Sequence, residues 1–147
     1  MTSLKWWKGQ KIMVNKPLLF AWITAIIAMG GSLFFSERMG FIPCVLCWYQ
    51  RILMYPLVLL LGIAFYRNDR SIYKYVLPVS VLGMLVSGTH YALQKIPSMQ
   101  EFSVCTSGVP CSGQYINLLG FITIPFLALL AFTIITIMML VLRKSVK

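Results

Sequence analysis

Charge is scarce in this sequence. Only 11% of its 147 residues are Asp, Glu, Lys or Arg, and just three of those are acidic, whereas 59% are hydrophobic. A soluble domain of this length could not hide so much apolar surface, so the solvent the composition points to is lipid. Internal repeats, low-complexity tracts and long linkers are missing too, which leaves one compact membrane domain, 1–147. No G-x-G-x-x-G, phosphate loop or C-x-x-C-H is present, which argues against a bound nucleotide or a covalent haem. A net charge of +10 in a soluble protein would suggest nucleic acid. Here the basic residues sit between apolar runs and report membrane orientation, so no nucleic-acid partner is expected.

What is present is a series of apolar runs. Lys5, Lys8, Lys11 and Lys16, with Trp6 and Trp7 among them, read as an interfacial segment on a charged membrane face. The run from about Pro17 to Phe35 is longer than a secretory signal core and close to the ~20 residues needed to span, so it reads as a retained helix. Further spans follow at about Cys44–Tyr66, Ile72–Gln94 and Ile116–Leu142. The expected fold is an all-α membrane protein with four transmembrane helices, spans about 17–35, 44–66, 72–94 and 116–142. Pro56, Pro78 and Pro125 are candidate kinks. Gly30, Gly31, Gly83, Ser87 and Gly88 are candidates for close helix approach. The nine methionines read as packing residues.

Four spans put both termini on one side. Lys5, Lys8, Lys11, Lys16, Arg67, Arg70, Lys74, Arg143, Lys144 and Lys147 fall there, against only Arg38, Arg51 and Lys95 on the other. The positive-inside rule then places both termini in the cytoplasm. It also places all four cysteines at the outer face, in two different loops, on the oxidising side.

Cys44-Val45-Leu46-Cys47 opens the second span, and a helix there puts Cys44, Cys47 and Arg51 on one face at i, i+3 and i+7. The helix N-terminus and Arg51 both favour negative charge at the cysteines, and the thiolate is the reactive form. The plain alternative is a static disulfide beside a snorkelling arginine. Cys105 and Cys111 lie in the longer connection, Lys95–Tyr115. Four cysteines allow three pairings, of which one bridge per loop is the simplest. Bridges closing loops this short are worth roughly 2 kcal/mol each, a poor return on stability but suited to exchange. A four-cysteine zinc site is the competing chemistry. The five residues between Cys105 and Cys111 exceed the usual spacing, so no metal is expected. By position, electrons would run from an external dithiol to Cys105/Cys111, then to Cys44/Cys47, then to a lipid-soluble acceptor.

Pro43-Cys44-Val45-Leu46-Cys47-Trp48-Tyr49-Gln50-Arg51 resembles the signature of the DsbB family of membrane thiol oxidases. The resemblance extends to the four spans and the second cysteine pair. The small size and short second loop most resemble the BdbC-like branch of Gram-positive bacilli. It implies a four-helix bundle in the plasma membrane that reoxidises an extracytoplasmic thioredoxin-fold thiol oxidase and reduces quinone, menaquinone on that branch. By this resemblance Cys105 takes the mixed disulfide with the partner, Cys111 is its bridge mate, Cys44 exchanges with the second loop, and Cys47 faces the quinone beside Arg51. The second loop is shorter than the amphipathic segment of Gram-negative members. A tetraspan scaffold with static disulfides is the rival reading.

Two more residues fall near this site. Gln50 is either a quinone-site residue or a bond to a neighbouring helix. His90, near the outer end of the third span, is either a histidine hydrogen-bonded between helices or a proton donor to the quinone, whose reduction takes up two protons.

Overall fold

A computed structural model describes residues 15–40, 42–96, 98 and 122–147. The described chain is helical, with four helices long and apolar enough to cross a membrane. These are α1 (Lys16–Glu37), α2 (Val45–Arg67), α3 (Tyr73–Lys95) and α4 (Ile124–Val146), with a 3₁₀ turn, Arg70–Ile72, leading into α3. At 22 or 23 residues each helix is about 33 Å long, enough to cross a hydrocarbon core of ~30 Å. Their outer faces are as apolar as their inner ones: Leu59, for example, is 69% exposed. That pattern suits a helix whose outer face meets lipid.

Local sequence explains where the helices begin and end. Pro17 and Pro125 both sit in the first turn of their helices, where the missing N–H costs nothing. Pro125 therefore starts α4 and does not kink it, whereas Pro56 and Pro78 lie inside α2 and α3. The sequence places Ile122 and Thr123 within the fourth span. In the structure Thr123 is extended and α4 begins one residue later, while 116–121 lie outside the described residues. Gly40, at φ 65°, supplies the left-handed step between α1 and α2. Asn68 does the same at the end of α2, where the Asp69 carboxylate accepts the Ser71 N–H at 2.8 Å and caps the 3₁₀ turn. The Asn15 side chain donates to that of Asn68, tying the start of α1 to the end of α2.

The helices pack in cyclic order, α1 on α2, α2 on α3, α3 on α4 and α4 back on α1. Their antiparallel course brings the end of α1, the start of α2, the end of α3 and the start of α4 to one end of the bundle. The core runs through Leu18, Leu57, Leu61, Val76, Phe132, Ile135 and Met139. Lipid tails are as apolar as these side chains, so close fit and interhelical hydrogen bonds hold the bundle. Gly83 is one such fit, since a Cβ there would land inside the Phe132 ring. Trp22 stacks on Phe65 with centroids 5.5 Å apart, and the buried Thr136 hydroxyl donates to Ser80 Oγ at 3.0 Å. Gly30 and Gly31 behave differently from the close-approach expectation: a Cβ on either would meet nothing within 4 Å. Gly88 is intermediate, with Leu129 at 3.9 Å.

Candidate active site

Cys44 is the last extended residue before α2, and its carbonyl accepts the Trp48 N–H to close the first helical turn. Cys47 lies inside that turn. The two side chains are free thiols, with sulfurs 3.3 Å apart, Cys44 buried and Cys47 partly so. The first N–H groups of a helix lack intrahelical acceptors, so this turn of α2 presents partial positive charge to both sulfurs.

Two further groups converge on them from α2. Arg51 reaches across to α1, where Nε donates to Ser32 Oγ at 3.0 Å and Nη2 to the Ser32 carbonyl at 3.1 Å. Its guanidinium also lies 5.8 Å from the Trp48 ring centroid. These contacts fix the charge on the cavity wall that Arg51 shares with Cys47, where a free snorkelling arginine would leave it mobile. Gln50 turns to the other side, with Nε2 at 3.0 Å from His90 Nδ1. His90, on α3 and only 1% exposed, brings its Nε2 to 3.6 Å from Cys44 Sγ.

A cavity of about 450 Å³ opens beside this cluster, between α1, α2 and α4. Cys47, Gln50 and Arg51 line it, with Ser32 and Gly31 from α1 and the Tyr55 ring from α2. Gly31 explains itself here: its missing side chain leaves cavity space, not helix contact. Ile27 (68% exposed), Ile42, Leu127, Leu130 and Ile134 form the cavity's outer lip on the apolar surface of the bundle. Neither Cys44 nor His90 is part of the wall. His90 thus stands behind Gln50, on the Cys44 side of the wall.

The sequence-derived set therefore divides. Cys44, Cys47, Gln50, Arg51 and His90 come together, while Cys105 and Cys111 lie outside the described residues. Ser32 escaped the sequence reading. Its only sequence signal is a hydroxyl in an apolar span at a depth similar to that of Arg51.

A helical membrane bundle carrying a paired-thiol site at one end defines a thiol-redox membrane protein. The family model described as disulfide bond formation protein DsbB matches residues 15–142. The chain is 60% identical over 126 residues to disulfide bond formation protein C of Bacillus subtilis, covering 86% of this chain and 91% of that one. It is 50% identical over 132 residues to a probable disulfide formation protein C of Halalkalibacterium halodurans, covering 90% and 96%. A probable disulfide formation protein of Coxiella burnetii is 48% identical over 122 residues, covering 82% and 83%. No solved structure matches the chain. The chain belongs to the DsbB family and is a multi-pass membrane oxidoreductase of disulfide bond formation.

Proposed function

We propose that this protein oxidises an extracytoplasmic thioredoxin-fold thiol oxidase and passes the electrons to a membrane quinone, menaquinone in a Gram-positive membrane. The observation that carries the reading is the cavity. Its volume suits a ring-sized ligand, its wall is mainly apolar, and Cys47 and Arg51 are among its few polar groups. The quinone supplies the chemistry of a two-electron, two-proton acceptor. Arg51, pinned on Ser32, would hold the quinone oxygen and supply a fixed positive charge for the negative charge developing on it, so no reorganisation would be needed.

The protein's own residues divide the rest. Cys105 forms the mixed disulfide with the partner, and Cys111 completes that pair. Cys44 exchanges with the second pair, and Cys47 faces the cavity. Oxidising the Cys44/Cys47 dithiol to a disulfide releases two electrons and two protons. With the Gln50 amide turned so that its oxygen accepts the Nδ1–H, His90 Nε2 is the base within reach of Cys44 and accepts its proton, and Gln50 orients the imidazole from the cavity wall. The positive-inside distribution of lysine and arginine supports cytoplasmic termini and a plasma-membrane protein with both cysteine pairs outside.

Quinone-analogue reduction by the detergent-purified protein, fed by a reduced thioredoxin-fold dithiol oxidase, tests the reading. Turnover is expected in the parent and none in Cys47→Ser or Cys105→Ser. Cysteines that stay bridged after the partner is added, with no turnover, would favour a scaffold with static disulfides.

A further inference from the structure

We propose that the reduced Cys44/Cys47 pair and His90 together form a binding site for a thiophilic metal ion of the Zn²⁺ class, and that the bound ion holds the dithiol out of exchange. The three donor atoms, two sulfurs and one ring nitrogen, all lie within 4.8 Å of one another. Around a tetrahedral zinc with Zn–S near 2.3 Å and Zn–N near 2.0–2.1 Å, donor atoms stand about 3.5–3.8 Å apart. The two sulfurs are 3.3 Å apart, and Cys44 Sγ is 3.6 Å from His90 Nε2. Two edges of the tetrahedral face are thus in place, and a small rotation of Cys47 brings in the third.

This is more than a bare C-x-x-C. The third ligand comes from a different helix and is itself buried. A metal-binding histidine needs a partner on its other nitrogen to fix the tautomer, and Gln50 occupies that place. With its amide turned to present oxygen, Gln50 accepts the Nδ1–H and leaves the Nε2 lone pair facing Cys44. Cys47 lines the cavity, so the fourth position of the ion opens there. Two thiolates neutralise a divalent cation, so the bound ion adds no net positive charge beside the Arg51 guanidinium held on Ser32. No carboxylate belongs to the cluster, which favours a soft ion over Mg²⁺ or Ca²⁺.

Binding displaces two thiol protons and transfers no electrons. The disulfide offers no thiolate, so only the dithiol state takes the ion. The site needs only free thiols and stands whether or not the cavity takes a quinone.

The full chain in detergent, carrying Cys105→Ser and Cys111→Ser and reduced with a phosphine, would be titrated with Cd²⁺, read by its thiolate charge-transfer absorbance, and then competed with Zn²⁺. One equivalent is expected, with loss of the band in Cys44→Ser or Cys47→Ser. Affinity should fall at least about tenfold in His90→Ala and Gln50→Leu. Parent-like affinity in His90→Ala, or equal binding after oxidation to the disulfide, would overturn the site. A second measurement uses the unsubstituted protein: Zn²⁺ should protect Cys44 and Cys47 from maleimide after reduction, and EDTA should restore labelling. Unprotected labelling at saturating Zn²⁺ would refute the proposal however the variants fold.

Discussion

Arg51→Met removes one charge from the cavity wall and leaves a side chain of similar length. In the parent, two charge-assisted hydrogen bonds, at 3.0 and 3.1 Å, hold the guanidinium against Ser32. Such bonds contribute about 1.5–3 kcal/mol each, so the cation is fixed before substrate arrives. A preorganised donor to a developing oxyanion is worth about 2.7–4 kcal/mol, and Arg51→Met should lower kcat for quinone reduction by about 10²–10³-fold. Arg51→Lys keeps the charge but loses the planar fork, so its loss should fall between parent and Met. Ser32→Ala removes one of the two anchors while the Ser32 carbonyl remains. Its cost should be about 1.5 kcal/mol, roughly tenfold, which is below that of the Met variant. The assay is steady-state reduction of a soluble quinone analogue, with kcat and KM resolved separately. Arg51→Met turnover within about threefold of the parent would refute the role given to the guanidinium.

Gly31→Leu should raise the KM for quinone about tenfold or more by filling cavity space, while thermal stability stays level or rises, because nothing lies within 4 Å of a Cβ there. Gly83→Leu should do the reverse, destabilising the bundle by about 1–3 kcal/mol through collision with Phe132 and leaving the site chemistry intact; thermal unfolding in detergent reads it. His90→Phe should slow exchange at Cys44 by about 10²-fold, measured by stopped-flow with the reduced partner, with quinone affinity unchanged because His90 is off the cavity wall.

Much of this site could be read from the sequence because its chemistry is local. Cys44, Cys47, Gln50 and Arg51 lie within about two turns of one helix, so helical periodicity alone sets their relative directions. Hydropathy likewise gives the spans, since each backbone crossing lipid must satisfy its own hydrogen bonds. What could not be read is partner choice between helices. Nothing in α1 singles out Ser32 as the acceptor for Arg51, and nothing in α3 says that His90 turns to Cys44 and away from the cavity. Small residues posed the same problem. Gly31 and Gly83 look alike in sequence, yet one leaves a void and the other admits a neighbouring ring. The start of α4 was ambiguous because Ile122 and Thr123 are as β-branched and apolar as the helix that follows; Pro125, favoured in a first helical turn, marks the boundary.

The cavity's lip is made of side chains that face the bilayer, Ile27 and Ile134 among them. A ligand entering there comes from a two-dimensional solvent, and its occupancy follows its mole fraction among lipids, not its molarity in the sample. Diluting the protein with detergent at constant total quinone would lower the apparent affinity without changing one contact. Two laboratories using different micelle loads would then report different Michaelis constants for the same protein, and the values should converge when replotted per mole of amphiphile.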